Sequence, residues 1–95
     1  MIERHVSYEV PTEKTEDFER FFIERYRPPV MTMPGLLECE LLRESDEPTH
    51  YQMVFRWESA DNAAAWRTSL VHTELQPALN ALHSGMTIVA YSKVA

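Results

Sequence analysis

The chain has 95 residues, with 9 Lys and Arg against 15 Asp and Glu and a formal net charge of −6. That balance argues against a nucleic-acid or anionic-membrane partner, since both require clustered positive charge. No stretch approaches the ~20 apolar residues of a membrane span, and the single cysteine, Cys39, allows neither an intrachain disulfide nor a cysteine-based metal site.

The first residues, "MIERHVSYEV", carry charges at Glu3 and Arg4 and lack the apolar run of a signal peptide. A reducing, cytoplasmic setting is the expectation. The length fits one domain spanning residues 1–95. Residues 2 to 10 alternate: Ile2, Val6, Tyr8 and Val10 share a face with Arg4 among them, and Glu3, His5, Ser7 and Glu9 share the other. Period-two alternation predicts a half-buried strand.

In "PTEKTEDFERFFIERYRPP", Phe18, Phe21, Phe22 and Tyr26 form one helical stripe. Thr12 or Thr15 is placed to cap it, and Pro28–Pro29 should disrupt it. The apolar connector "VMTM" leads to a Pro34–Gly35 turn. "LLECELLRES" predicts a strand with Leu37, Cys39 and Leu41 on one side. After the turn "DEPT", "HYQMVFRWE" predicts another, with Tyr51, Met53, Phe55 and Trp57 on one face and His50, Gln52, Val54 and Arg56 on the other.

Ser59 is placed to cap a helix over "ADNAAAWRTSL". A further helical piece, "HTELQPALNALH", should bend or restart near Pro77, with Thr73 and Gln76 as its capping box. "GMTIVAYSKV" is the last strand. The order strand, helix, strand, strand, helix, strand predicts an α+β, ferredoxin-like split βαβ fold, a four-stranded antiparallel sheet with its helices on one face. A chain this short has no element left for the second face, so a homodimer through that face is expected, with His50, Gln52, Val54 and Arg56 at or near the interface.

The segments "EVPTEKTEDFERFF", "MPGLLECELLR", "YQMVFRWESADNAAAWRTSLVH" and "TELQPAL" together resemble the antibiotic biosynthesis monooxygenase family. The most specific parts are the Pro-Gly turn, the "WES" closing the third strand, a large residue nine positions on, and a histidine after "S-x-x". The resemblance implies a dimeric α+β barrel with a pocket in each subunit between sheet and helices. It also implies one of several activities: cofactor-free oxygenation of aromatic compounds, heme degradation, isomerisation of small metabolites, or ligand binding without turnover.

The implied pocket brings Trp66 and His72 together as candidate catalytic residues. His72 falls in the loop between the two helical pieces, where it matches the family's histidine, and the alanines before Trp66 could leave space beside the ring. Tyr8, Met53 and Phe55 would floor a cavity for a small hydrophobic molecule, with Tyr26 at its edge. Histidine suits proton transfer near neutral pH. His5 and His50 fall on the face away from the helices, toward a partner subunit, and His83 sits at a helix C-terminus. No His pair has metal-ligand spacing within a helix, and the two glycines, Gly35 and Gly85, make no phosphate loop. No metal and no cofactor are therefore expected. The heme-degrading branch implies a polar residue, a tryptophan and an iron-ligating histidine where this chain has Val6, Trp66 and Gln76. Only the tryptophan is kept, and glutamine is a poor iron ligand. The reading that results is a cofactor-independent monooxygenase of a small aromatic or quinol-like compound; the alternatives are an accessory ligand-binding dimer or an isomerase.

Overall fold

The computed structural model describes residues 1–95. Four antiparallel strands, β1 (Ile2–Glu9), β2 (Leu36–Arg43), β3 (His50–Trp57) and β4 (Gly85–Ser92), form one sheet in the order β2-β3-β1-β4. The helices are α1 (Thr15–Phe21), α2 (Arg27–Val30), α3 (Ala60–Arg67) and α4 (Leu70–Asn80). This is the predicted ferredoxin-like arrangement, and no helix is long and apolar enough to cross a membrane. The alternation in β1 and β3 carries through. Val6 and Tyr8 from β1 and Tyr51, Met53, Phe55 and Trp57 from β3 join Phe18, Phe21, Phe22, Tyr26 and Trp66 in a single core. Val54, on the opposite face of β3, is buried as well, at 4% exposure.

Local chemistry departs from the expectations in four places. The first helix does not stop at the prolines. A π-helical stretch, Phe22–Tyr26, carries α1 into α2, and the Arg27 N–H donates to the Phe22 carbonyl five residues back. The wider turn shifts the carbonyls that a proline ring would strike, so Pro28 and Pro29 fit the start of α2. Neither Thr12 nor Thr15 caps a helix; Pro11 leads into a 3₁₀ turn, and the Thr15 hydroxyl donates to the Thr12 carbonyl.

Leu37 is half-exposed rather than buried. A register shift between Leu36 and Glu38 inserts one residue, so Leu36 opposes Trp57 and packs on the core in its place. Finally, α4 begins three residues before the expected capping box. Ser69 is its cap, accepting from the His72 N–H at 3.1 Å, and the helix runs unbroken through Pro77. Thr73 instead donates its hydroxyl to the Ser69 carbonyl.

The Pro34–Gly35 turn is the one place where glycine is obligatory. Gly35 has φ +79°, and a Cβ there would lie 2.3 Å from the Asn62 side chain. Its carbonyl accepts from the Glu58 N–H at 2.8 Å, which ties the turn to the end of β3. Asn62 is itself part of the α3 cap, its N–H donating to the Ser59 hydroxyl oxygen. One tight contact therefore links β2, β3 and α3, and fixes where α3 sets Trp66.

Candidate functional site

Trp66 is 2% exposed. It lies three residues after Ala63 on the buried side of α3, while Ala64 and Ala65 face solvent. Two of the three alanines therefore leave no cavity beside the ring; Ala63 alone packs on the core. The Trp66 ring meets Tyr26 edge-on with centroids 6.1 Å apart, and Tyr26 in turn meets Phe55 edge-on at 6.4 Å. Such tilted geometries suit aromatic quadrupoles. Tyr8, Tyr26, Met53 and Phe55 are each at most 4% exposed. They form a packed wall behind Trp66 rather than an open floor. Burial pushes the phenols of Tyr8 and Tyr26 well above their ordinary pKa, so both stay protonated. Burial also pushes the Cys39 thiol up to about 12, which makes it inert as a nucleophile.

His72 also packs against Trp66. It is not a loop residue: it occupies the first turn of α4, because Ser69 begins the helix earlier than the sequence suggested. Ser69 fixes both neighbours. Its hydroxyl donates to the Trp66 carbonyl at 2.7 Å and its oxygen accepts from the His72 N–H. The two rings meet edge-on, 89° apart in plane, with centroids at 5.1 Å. The Gln76 amide lies 3.0 Å from His72 Nε2, one helical turn on, and orients the imidazole. The residue at the position of the heme branch's iron ligand thus serves to hold a histidine. Burial, reinforced by the charges of Arg4 and Arg67, lowers the His72 pKa below 6.5. The ring is therefore a neutral base at neutral pH.

Arg4 was visible in the sequence as a charge in phase with Val6 and Tyr8, but its role was not. It is the single charged residue among the buried ones, 7% exposed on the helix side of β1, and it opposes Phe55 across the β1–β3 pair.

The other histidines lie elsewhere. His5 is on the open sheet face, hydrogen-bonded to Glu3 at 2.6 Å and to Gln52 at 2.5 Å; Arg56 joins the same network through Glu3 and Glu38. His50 sits at the β2–β3 turn among the carboxylates of Glu9, Glu44 and Glu47. Partial burial opposes its protonation, but the carboxylates outweigh this and raise its pKa. His83 packs edge-on against Tyr8 at 5.0 Å, with its pKa lowered by burial. Clefts of about 790, 620 and 570 Å³ occur on the open face, beside α1 and near the C-terminus; none borders Trp66 or His72, and of the predicted site residues only Tyr8 touches one.

A model of the antibiotic biosynthesis monooxygenase family matches residues 1–78. Three solved structures are similar over nearly their whole length. A candidate antibiotic biosynthesis monooxygenase from Bordetella bronchiseptica is 25% identical, with 99% of this chain and 97% of that one covered and a TM-score of 0.87. One from Nitrosomonas europaea is 20% identical, with both chains fully covered and a TM-score of 0.85. A variant of SnoaB, a cofactor-independent oxygenase from Streptomyces nogalater, is 21% identical, with 97% and 91% covered and a TM-score of 0.87. Among curated proteins, no sequence matches this chain. The match over residues 1–78 takes in β1, the Pro34–Gly35 turn, β3, Trp66 and His72, and with it the chain belongs to the antibiotic biosynthesis monooxygenase family.

Proposed function

We propose that the protein is a cofactor-independent monooxygenase of a small aromatic or quinol-like compound, with His72 as its base. The observation that carries this is the state of His72: half-buried, held by Ser69 and Gln76, set edge-on to Trp66, and kept neutral by burial and two arginines. A neutral imidazole beside an apolar aromatic edge is the group needed to take a proton from an activated O–H or C–H. Gln76 can turn either its N–H or its carbonyl toward the ring. With the carbonyl accepting from Nε2–H, Nδ1 is the free base.

The chemistry then balances on the substrate and dioxygen alone. His72 takes one proton, and the resulting carbanion or phenolate gives an electron to dioxygen. The two radicals recombine to a hydroperoxide. Loss of water, with the His72 proton returned, leaves a carbonyl where the substrate had a CH₂ group. One oxygen atom stays in the product and one departs as water. Trp66 and the wall behind it supply the dry boundary that such a carbanion requires.

The family's dimeric habit supports a homodimer. The open face of the sheet, with Leu42, Val89 and Tyr91 each about half exposed around the Glu3–Arg56–Glu38 network, is the surface we assign to it. A second reading, a ligand-binding or accessory dimer without turnover, is favoured by the position of the three clefts, none of which reaches Trp66 or His72. Oxygen uptake with a panel of anthrones and quinols separates the two. We expect uptake with at least one compound and a loss of ~10²-fold in His72→Ala, the usual scale for general-base help. Saturable binding without uptake would favour the second reading.

A further inference from the structure

Arg4 has no counter-ion. It enters none of the ion pairs and donates no side-chain hydrogen bond. The residue as a whole is 7% exposed, while its guanidinium nitrogens still touch solvent; a largely buried cation without a counter-ion is costly, and such charges are ordinarily paired. The surroundings make matters worse. Arg67, at the end of α3, is also unpaired, and its charge reaches Arg4; both arginines act on His72. The nearby phenols of Tyr8 and Tyr26 stay protonated and supply no negative charge. In a chain with 15 acidic residues, none is placed here.

Beside Arg4 the helix-side face of the sheet is open. Ala90 opposes Arg4 across the β1–β4 pair, Ile88 opposes Val6 and Met86 opposes Tyr8. These three residues point to the helix side with their partners, yet all are exposed, Ile88 and Met86 at 45%. An apolar strip open to solvent therefore runs alongside a buried, unpaired cation. A small amphipathic anion complements both features, and the planar guanidinium fork matches a carboxylate best.

We propose that Arg4 is an anion-binding residue, and that the ligand of this protein is a small aromatic acid whose carboxylate pairs with Arg4 while its ring lies on the strip formed by Met86, Ile88 and Ala90. This rests on the assignment of the His72 region as the substrate site, and narrows the substrate from an aromatic compound to an aromatic acid. Arg4 holds the acid group near enough to His72 for its charge to act on that ring. Arg67 adds long-range attraction from the rim.

The test is a calorimetric titration with a naphthoate and its neutral isostere, the naphthamide, at neutral pH and near-physiological salt. The wild-type protein should bind the naphthoate at least ~10-fold more tightly, the scale of a charge-assisted hydrogen bond. Arg4→Met should abolish the preference and, without ligand, melt at or above the wild-type temperature, since an uncompensated charge is removed while the apolar stem is kept. Equal affinities, no saturable naphthoate binding, a preference that survives in Arg4→Met, or a variant that melts lower or does not fold would each overturn the proposal. None of these readings needs turnover. A protein that prefers naphthoate but consumes no oxygen loses the oxygenase function and keeps the Arg4 site. One that consumes oxygen without preferring the acid keeps the oxygenase function and loses Arg4.

Discussion

Replacing Trp66 with alanine removes the ring on which the helix layer and the candidate site both depend. Trp66 is 2% exposed and touches Tyr26 and His72 edge-on. Truncating a fully buried tryptophan costs ~3–5 kcal/mol, made of lost transfer energy and the cavity left behind. The upper half of that range applies here. The wall of Tyr26 and Phe55 is itself packed and has little freedom to collapse inward. Total stability for a domain of this size is roughly 5–15 kcal/mol, so the variant keeps only part of its margin. At ~4–8 °C per kcal/mol the melting temperature should fall by ~15–40 °C. Urea unfolding at fixed protein concentration is the assay, because any dimer makes stability concentration-dependent. The midpoint should fall with the slope unchanged. Trp66→Phe should recover much of the loss. A change below ~1 kcal/mol for Trp66→Ala would refute the claim that this ring is a core anchor.

Three further outcomes follow from other parts of the molecule. In an NMR titration His50 should titrate above its ordinary 6.5, and His72 and His83 below it. By linkage, His50 contributes stability that is present below ~6.5 and lost as pH rises through its folded value, whereas His72 and His83 contribute stability present above ~6.5 and lost as pH falls through theirs; the reverse order of midpoints would contradict the site electrostatics. Gly35→Ala should cost at least ~2 kcal/mol in chemical unfolding, from its positive φ and the contact with Asn62. Adding Asn62→Ala should recover only the clash, and a neutral Gly35→Ala would sink this account of the turn. Light scattering should give twice the chain mass at micromolar concentration, and a clean monomer would remove the open sheet face from consideration as an interface.

The sheet was legible because side chains alternate between a buried and an open face: Val6–Tyr8 in β1 and Met53–Phe55–Trp57 in β3 could be read directly, with Val54 the one residue of the open face of β3 that is also buried. The Phe18–Phe21–Phe22–Tyr26 stripe was legible for the same reason at helical period. What escaped was set by local hydrogen bonding. The π-helical stretch that admits Pro28 and Pro29 has no signal of its own in side-chain spacing. The bulge at Leu37 exchanged it for Leu36, because one inserted residue reverses which neighbour faces the core. The start of α4 did have a signal, since Ser69 is a good cap, but the later Thr73–Gln76 pair competed with it. Choosing the later start put His72 in a loop and hid the geometry that orients it. At the site, Trp66 and His72 are brought together by Ser69, while Tyr8, Tyr26, Met53 and Phe55 lie behind them as packed core. Arg4 broke the apolar phase of β1 in plain view. Only its burial without a partner gives that break a chemical meaning.

The most direct test of the central claim is incorporation of isotopically labelled dioxygen. Purified protein, without added metal, flavin or nicotinamide, is incubated under labelled oxygen with the anthrone and quinol panel and with acidic members of each class. We predict that one labelled atom per turnover enters a new carbonyl of the product, that the second leaves as labelled water, and that His72→Ala slows product formation by ~10². Product that carries only solvent oxygen, or labelling at an equal rate in His72→Ala, would contradict the assignment of His72 as the base of a cofactor-independent monooxygenase.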